Sequence, residues 1–176
     1  MRKLVFVAVL LLGFCAVSAA QDVPQFEVFG GWNIVLPKDV EEVDYLNGWE
    51  GSFGVNVNEY AGAVIDISGV YYNGNEEMGN VSIHSFLVGP QVKIPANEKI
   101  VPFVRALFGA SHLDTEVNTL NDNGLTIAIG GGVDINYNDR ISIRPAQVEY
   151  VASRFNGEFL DTGRFAAGIV FKFGER

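Results

Sequence analysis

From Leu125 to Phe173 the chain falls into three segments in which apolar side chains recur at every second residue. In the first of them Leu125, Ile127, Ile129, Val133, Ile135 and Tyr137 share one parity. Thr126, Ala128, Gly130, Gly132, Asp134 and Asn136 share the other. Alternation of this kind marks a β-strand with two unlike faces, because successive side chains point to opposite sides of the pleat. Each face then needs its own solvent, and few folds supply two.

The N-terminus reads as an export signal. Arg2 and Lys3 precede an apolar run from Leu4 to Val17, and Ser18-Ala19-Ala20 supplies small residues for cleavage. Residues 1–20 are therefore expected to be a cleaved signal peptide, and 21–176 the mature barrel domain. The run is shorter than the roughly 20 apolar residues of a membrane-spanning helix; an uncleaved anchor is the competing reading. Cys15, the only cysteine, lies inside this leader behind Phe14, which is too large for a lipidation signal. The leader holds two of the twelve Lys and Arg and none of the 21 Asp and Glu, so the −9 of the whole chain becomes −11. So acidic a balance excludes nucleic acid as a partner.

Alternation and turn signals together predict eight strands, near 25–36, 48–57, 61–72, 81–94, 101–112, 125–137, 141–153 and 163–173. Connections alternate in length. Asn58-Glu59-Tyr60, Pro95 to Ile100 and Asn138-Asp139-Arg140 are short, whereas 37–47, 73–80, 113–124 and 154–162 are longer and polar. Eleven of the 21 acids fall in those four stretches, among them Asp39, Glu41, Glu42, Asp44, Glu76, Glu77, Asp114 and Glu116. Short turns at one end and long loops at the other suit a transmembrane barrel.

Two barrels share this alternation with opposite polarity. A soluble one is apolar inside; a membrane one is apolar outside. The polar parity here carries Gly31, Gly54, Gly62, Gly89, Gly109, Gly130, Gly132 and Gly168 between charges of both signs. A water-facing strand surface avoids that much glycine, whereas a narrow lumen filled by side chains accommodates it. The other parity carries Trp32, Trp49, Phe53, Tyr71, Phe86, Phe108, Tyr137, Phe165, Phe171 and Phe173. Eight strands cannot enclose so much bulk. The expected fold is an all-β, eight-stranded antiparallel up-and-down transmembrane β-barrel, closed because hydrocarbon offers no partner for a free strand edge.

Register supports the hairpins. Matching apolar residues across the fourth and fifth strands pairs Val88 with Phe108 and Val92 with Val104, and this sets Gln91 opposite Arg105. Across the sixth and seventh, pairing Ile135 with Ile143 sets Asp134 opposite Arg144. Beyond Pro145 the parity slips, and a bulge there explains it, since proline lacks the ladder N–H.

The runs His84-Ser85-Phe86-Leu87-Val88-Gly89-Pro90, Val101-Pro102-Phe103-Val104-Arg105-Ala106-Leu107-Phe108-Gly109, Gly130-Gly131-Gly132-Val133-Asp134, Ile143-Arg144-Pro145 and Phe165-Ala166-Ala167-Gly168-Ile169-Val170-Phe171-Lys172-Phe173 resemble the outer-membrane β-barrel-domain family, which includes the membrane domain of OmpA-like porins. The resemblance covers nearly the whole mature chain. It implies insertion into a Gram-negative outer membrane by the barrel-assembly machinery, with termini periplasmic, long loops outside, and lipids and lipopolysaccharide as neighbours of a monomer. Two features depart from the pattern. Phe173 is followed by Gly174-Glu175-Arg176 where a terminal aromatic is usual, and with no peptidoglycan-binding domain in the sequence, that anchoring role is not expected.

Within the polar parity, Glu27, Glu50, Asp66, Lys93, Arg105, Asp134, Arg144, Glu149, Arg164 and Lys172 are expected to form a paired network that plugs the lumen; a gated ion path is the alternative. His84 and His112 fall opposite each other near the loop end, facing outward as interfacial residues or contacts to lipid headgroups. Two histidines make a weak metal signal. Ser111 and His112 point to opposite faces, so no nucleophile–base pair is expected there. No catalytic residue, cofactor or metal is implied. The expected role is a structural or surface-interaction protein of the envelope, with a narrow porin-like permeation protein, a secreted soluble ligand-binding barrel and a lipid A-modifying enzyme as alternatives.

Overall fold

A computed structural model describes residues 24–38, 45–73, 80–115, 122–155 and 158–174. The leader and the acids Asp39, Glu41, Glu42, Asp44, Glu76, Glu77 and Glu116 lie outside the described residues. Eight strands run in chain order: β1 (Phe26–Pro37), β2 (Leu46–Asn56), β3 (Ala61–Asn73), β4 (Asn80–Lys93), β5 (Ile100–Thr115), β6 (Asp122–Asn136), β7 (Ile141–Phe155) and β8 (Glu158–Phe173). Each pairs antiparallel with its neighbours, and β1 pairs with β8 from Phe26↔Phe173 to Pro37↔Thr162, so the sheet closes.

The three turn-end connections share one local device. Asn58 Oδ1 accepts from the N–H groups of Tyr60 and Ala61 at 2.8 and 2.7 Å. Asn97 Oδ1 does the same for Lys99 and Ile100, and Asn138 Oδ1 for Arg140 and Ile141. An asparagine side chain standing in for a backbone carbonyl fixes a tight reversal.

The β4–β5 ladder pairs Val88 with Phe108, Gln91 with Arg105 and Val92 with Val104. In β6–β7, Ile135 faces Ile143 and Val133 faces Ala146, so the ladder shifts by one residue and Asp134 stands against a bulge. The register shifts in β7–β8 between Arg144 and Gln147 as well. Pro145 lies at the centre of both shifts.

The loop ends differ from the sequence expectation. Most of the stretch 154–162 belongs to strands, β7 running to Phe155 and β8 starting at Glu158, with Val151↔Thr162, Ser153↔Leu160 and Phe155↔Glu158 paired. Likewise β5 continues to Thr115 and β6 begins at Asp122. Polar composition there marks a change of solvent and leaves the pairing intact. A tilted crossing needs about 9–11 residues, and β5 to β8 have 15 or 16 each, enough to carry paired strand beyond the hydrocarbon.

Face polarity follows the membrane reading. Phe53, Phe108 and Phe171 point outward at 38%, 60% and 49% exposure, which overturns the soluble barrel. The lumen holds more than the glycines and charges expected of it, because apolar side chains fill part of it. Val64, Leu87, Leu107 and Ala128 form one buried cluster, Phe29, Ala166 and Val170 a second, and Val35, Leu46 and Val70 a third. Filling volume matters as much as pairing charge in so narrow an interior.

Candidate functional site

The interior is a stack of side-chain layers. At the turn end, Lys93 Nζ lies 2.6 Å from Glu27 Oε1 and donates to Asn56 Oδ1 at 3.0 Å. Lys172 stands opposite Glu27 on β8 and donates to Asn136 Oδ1 at 2.6 Å. One layer further in, Arg144 grips Asp134 with two donors, Nε to Oδ1 at 2.7 Å and Nη2 to Oδ2 at 3.0 Å. Its guanidinium is held between two rings, 4.6 Å from the Phe29 centroid and 4.2 Å from that of Phe103. Flat delocalised charge stacked on aromatic faces is a favourable way to bury an arginine.

Glycines make room for those rings. A Cβ on Gly31 would lie 2.6 Å from Phe29 Cζ, and one on Gly168 2.8 Å from Phe29 Cε2. Both would also collide with backbone across the ladder. The glycine-rich inner parity of β1 and β8 is thus the seat of an inward aromatic.

Midway along the axis five charges from five strands converge: Glu50 (β2), Asp66 (β3), Arg105 (β5), Glu149 (β7) and Arg164 (β8). Arg105 bonds Glu149 through Nε, and its Nη2 lies 2.7 Å from Glu50 Oε1 and 3.1 Å from Asp66 Oδ2. Arg164 donates from Nε to Glu149 Oε2 at 2.7 Å, and from Nη1 to Asp66 Oδ1 at 3.2 Å and Ser68 Oγ at 3.0 Å. Gln147 joins the layers, accepting from Arg144 Nη1 at 2.8 Å and donating to Glu50 Oε1 at 2.6 Å. None of the five charged residues is more than 3% exposed. All five are covered by neighbouring side chains.

Above this cluster, Ser85, Ser111, Thr126 and Ser153 form a continuous hydroxyl chain with steps of 2.7, 2.7 and 2.9 Å. Ser111 and Thr126 each make two of these bonds and the end groups Ser85 and Ser153 one, so four strands are linked without charge.

All ten residues expected in the lumen network lie on the inner face, in three separate groups. Sequence reasoning missed Phe29, Phe103, Gln147, Ser68 and the hydroxyl chain. Their parity was available; their contacts depend on how far the strands are staggered around the barrel.

His84 and His112 pair directly across β4 and β5 on the outer face. His84 Nε2 is 3.2 Å from Tyr71 Oη, which accepts from Trp49 Nε1 at 3.3 Å. His112 engages Asn123 Oδ1 at 2.9 Å and Asp114 Oδ1 at 3.2 Å. The two rings thus lean toward different neighbours, β3 and β6. Ser111 is buried in the lumen behind His112. Among the described residues, no group of three or more His, Cys, Asp or Glu is arranged to hold a metal ion.

A closed antiparallel barrel with an aromatic exterior and a sealed, charge-paired axis is a transmembrane barrel. The chain belongs to the outer membrane protein beta-barrel domain family, whose sequence model matches residues 6–173. No curated protein matches the chain. Among solved structures it is similar to Neisserial surface protein A, with a TM-score of 0.69 at 13% identity over 85% of this chain and 97% of that one. It is also similar to Ail, the attachment invasion locus protein of Yersinia pestis, at 0.59 and 16% over 86% and 99%. OprH from P. aeruginosa gives 0.57 and 13% over 84% and 99%. At such identities the likeness speaks for the fold alone.

Proposed function

We propose that this chain is a monomeric structural or surface-interaction protein of the outer membrane, without enzymatic activity, whose lumen is a plug. The observation that carries the reading is the five-strand charge cluster at the centre, with every member at 3% exposure or less. An ion crossing the barrel would have to break several buried pairs at once, and a charge left without its partner in such surroundings is costly. Reconstitution in planar bilayers tests this directly. The folded protein should give no stable unitary currents, and reproducible single-channel steps would favour the narrow permeation protein instead.

Export through the N-terminal leader and insertion by the barrel-assembly machinery complete the reading. Outer-membrane lipids and lipopolysaccharide would then surround the aromatic exterior. His84 and His112 suit contact with a lipid headgroup, because both sit on the outer face among Trp49, Tyr71 and Asn123 and both remain partly open. Ail has been solved with the heparin analogue sucrose octasulfate. The present chain is poorly suited to a polysulfated ligand, since its loop stretches hold eleven acids against Lys38 and Arg154. A cationic or neutral partner fits that rim better.

A further inference from the structure

The central cluster sets three carboxyl groups against two guanidinium groups in a space closed to solvent. Their neighbours across the ladders do not restore the balance. Glu50 faces Gly31 and Ser68, Asp66 faces Ser52 and Leu87, Arg105 faces Gln91 and Gly130, and Arg164 faces Val35 and Glu149. The Asp134–Arg144 pair one layer away is neutral within itself. Lys93 and Lys172 outnumber Glu27 by one, but that excess sits at the turn-end mouth. There Lys172 lines an open vestibule of about 940 Å³ together with Glu98, Lys99, Asp139 and Arg140.

The surplus acid has a definite place. Glu50 and Asp66 approach the same Arg105 Nη2, at 2.7 and 3.1 Å. Each has a buried oxygen without an aligned donor, Glu50 Oε2 and Asp66 Oδ2, and Arg105 Nη1 and Arg164 Nη2 are likewise without an aligned acceptor, so the imbalance in the cluster is one of charge. Arg105 Nη2 stands 3.1 Å from that Asp66 oxygen as an ion pair, without hydrogen-bond alignment. Two ionised carboxylates are acceptors only, whereas a single proton makes one of them a donor. Three buried carboxylates facing two guanidinium groups keep one uncompensated charge, which is costly away from water. Glu50 already accepts from Arg105 and Gln147 at 2.7 and 2.6 Å, while the only charged donor aligned on Asp66 is Arg164 Nη1 at 3.2 Å.

We propose that the folded barrel binds one proton in its lumen at neutral pH, seated on Asp66. The inference rests on the sealed-lumen reading. A proton brings the five-residue cluster to zero net charge and gives Asp66 a donor in place of the arginine contacts it lacks. No bound metal is needed to achieve this.

Infrared spectroscopy of the folded protein, in a detergent free of ester carbonyls, tests the proposal. At neutral pH one buried carboxylic-acid C=O band is expected per chain. It should shift in D2O, shift with ¹³C-carboxyl aspartate labelling, disappear in Asp66→Asn, and persist in Glu27→Gln. The absence of an acid band in the wild-type protein, or a band untouched by aspartate labelling, overturns the assignment. The isotope measurement needs no variant, so a misfolded Asp66→Asn leaves the test intact. A conducting barrel that keeps the band would remove the plug and spare the proton; a non-conducting barrel without the band would do the reverse.

Discussion

Arg164 on β8 reaches Asp66 on β3 across the lumen, with Nη1 3.2 Å from Oδ1. The same guanidinium holds Glu149 one strand away on β7, so a single side chain ties the last hairpin to the third strand. Replacing it by methionine keeps much of the volume and strands Asp66 and Glu149. Arg164→Met should lower stability by about 3–5 kcal/mol, read as a reduced urea midpoint in micelles and earlier loss of the compact band on unheated gels.

The two central acids should respond differently to neutralisation. Glu149 accepts from both arginines, so Glu149→Gln should cost about 1–3 kcal/mol by taking away the acceptor they share, even though Glu50 and an ionised Asp66 would still balance the two charges. Asp66→Asn removes the surplus acid and should change stability by no more than about 1 kcal/mol. Equilibrium unfolding of both variants under one condition gives the order.

At the stacked site, Arg144→Lys preserves charge and discards the flat double-sided contact with Phe29 and Phe103. A loss of about 1–2 kcal/mol is expected. Phe103→Leu in the lysine background should then add less than it does in the wild-type protein, which a double-mutant cycle measures.

The cradle beneath Phe29 gives a steric prediction. Gly168→Val places carbon where a Cβ already meets Gly30 O at 2.2 Å and Phe29 Cε2 at 2.8 Å. Folding yield should fall, with a cost of about 1–3 kcal/mol or more. Adding Phe29→Ala should recover only the part due to the ring, because the backbone clash remains.

On the outer surface, Phe108→Arg places a charge toward the hydrocarbon from a position 60% exposed in the middle of β5. About 2–4 kcal/mol is expected if that position lies near the bilayer midplane. Tyr137→Arg, just beyond β6 at the turn end, should cost about 1 kcal/mol or less. Unfolding from lipid vesicles separates the two.

Much of this architecture is legible in residue parity. Val88 against Phe108 fixed one register, Pro145 marked the bulge, and Asn58 and Asn138 announced their turns. Charge identity on the inner parity was equally plain for Glu50, Arg105 and Arg164. Which charges meet was not, because stagger around a closed sheet brings β2, β5, β7 and β8 to one height, and no local spacing encodes that. Phe29 and Phe103 were overlooked for a related reason: bulk suggests the lipid side, and only the nearby Gly31, Gly168 and Gly132 signal an inward ring. The stretch 154–162 misled because its polar composition reports where the membrane ends, whereas backbone pairing continues.

The spread of the central cluster over β2, β3, β5, β7 and β8 also bears on how the chain is completed. Glu149 and Arg164 arrive on the final hairpin, and until it swings round to meet β1 Arg105 is the single cluster cation facing both Glu50 and Asp66, so the matching is incomplete. Seam closure and full charge matching are therefore one event. A nascent sheet that stops short of it would keep its inner wall wet and ionised, a condition distinguishable from the finished cylinder by any chaperone or protease that senses exposed acid.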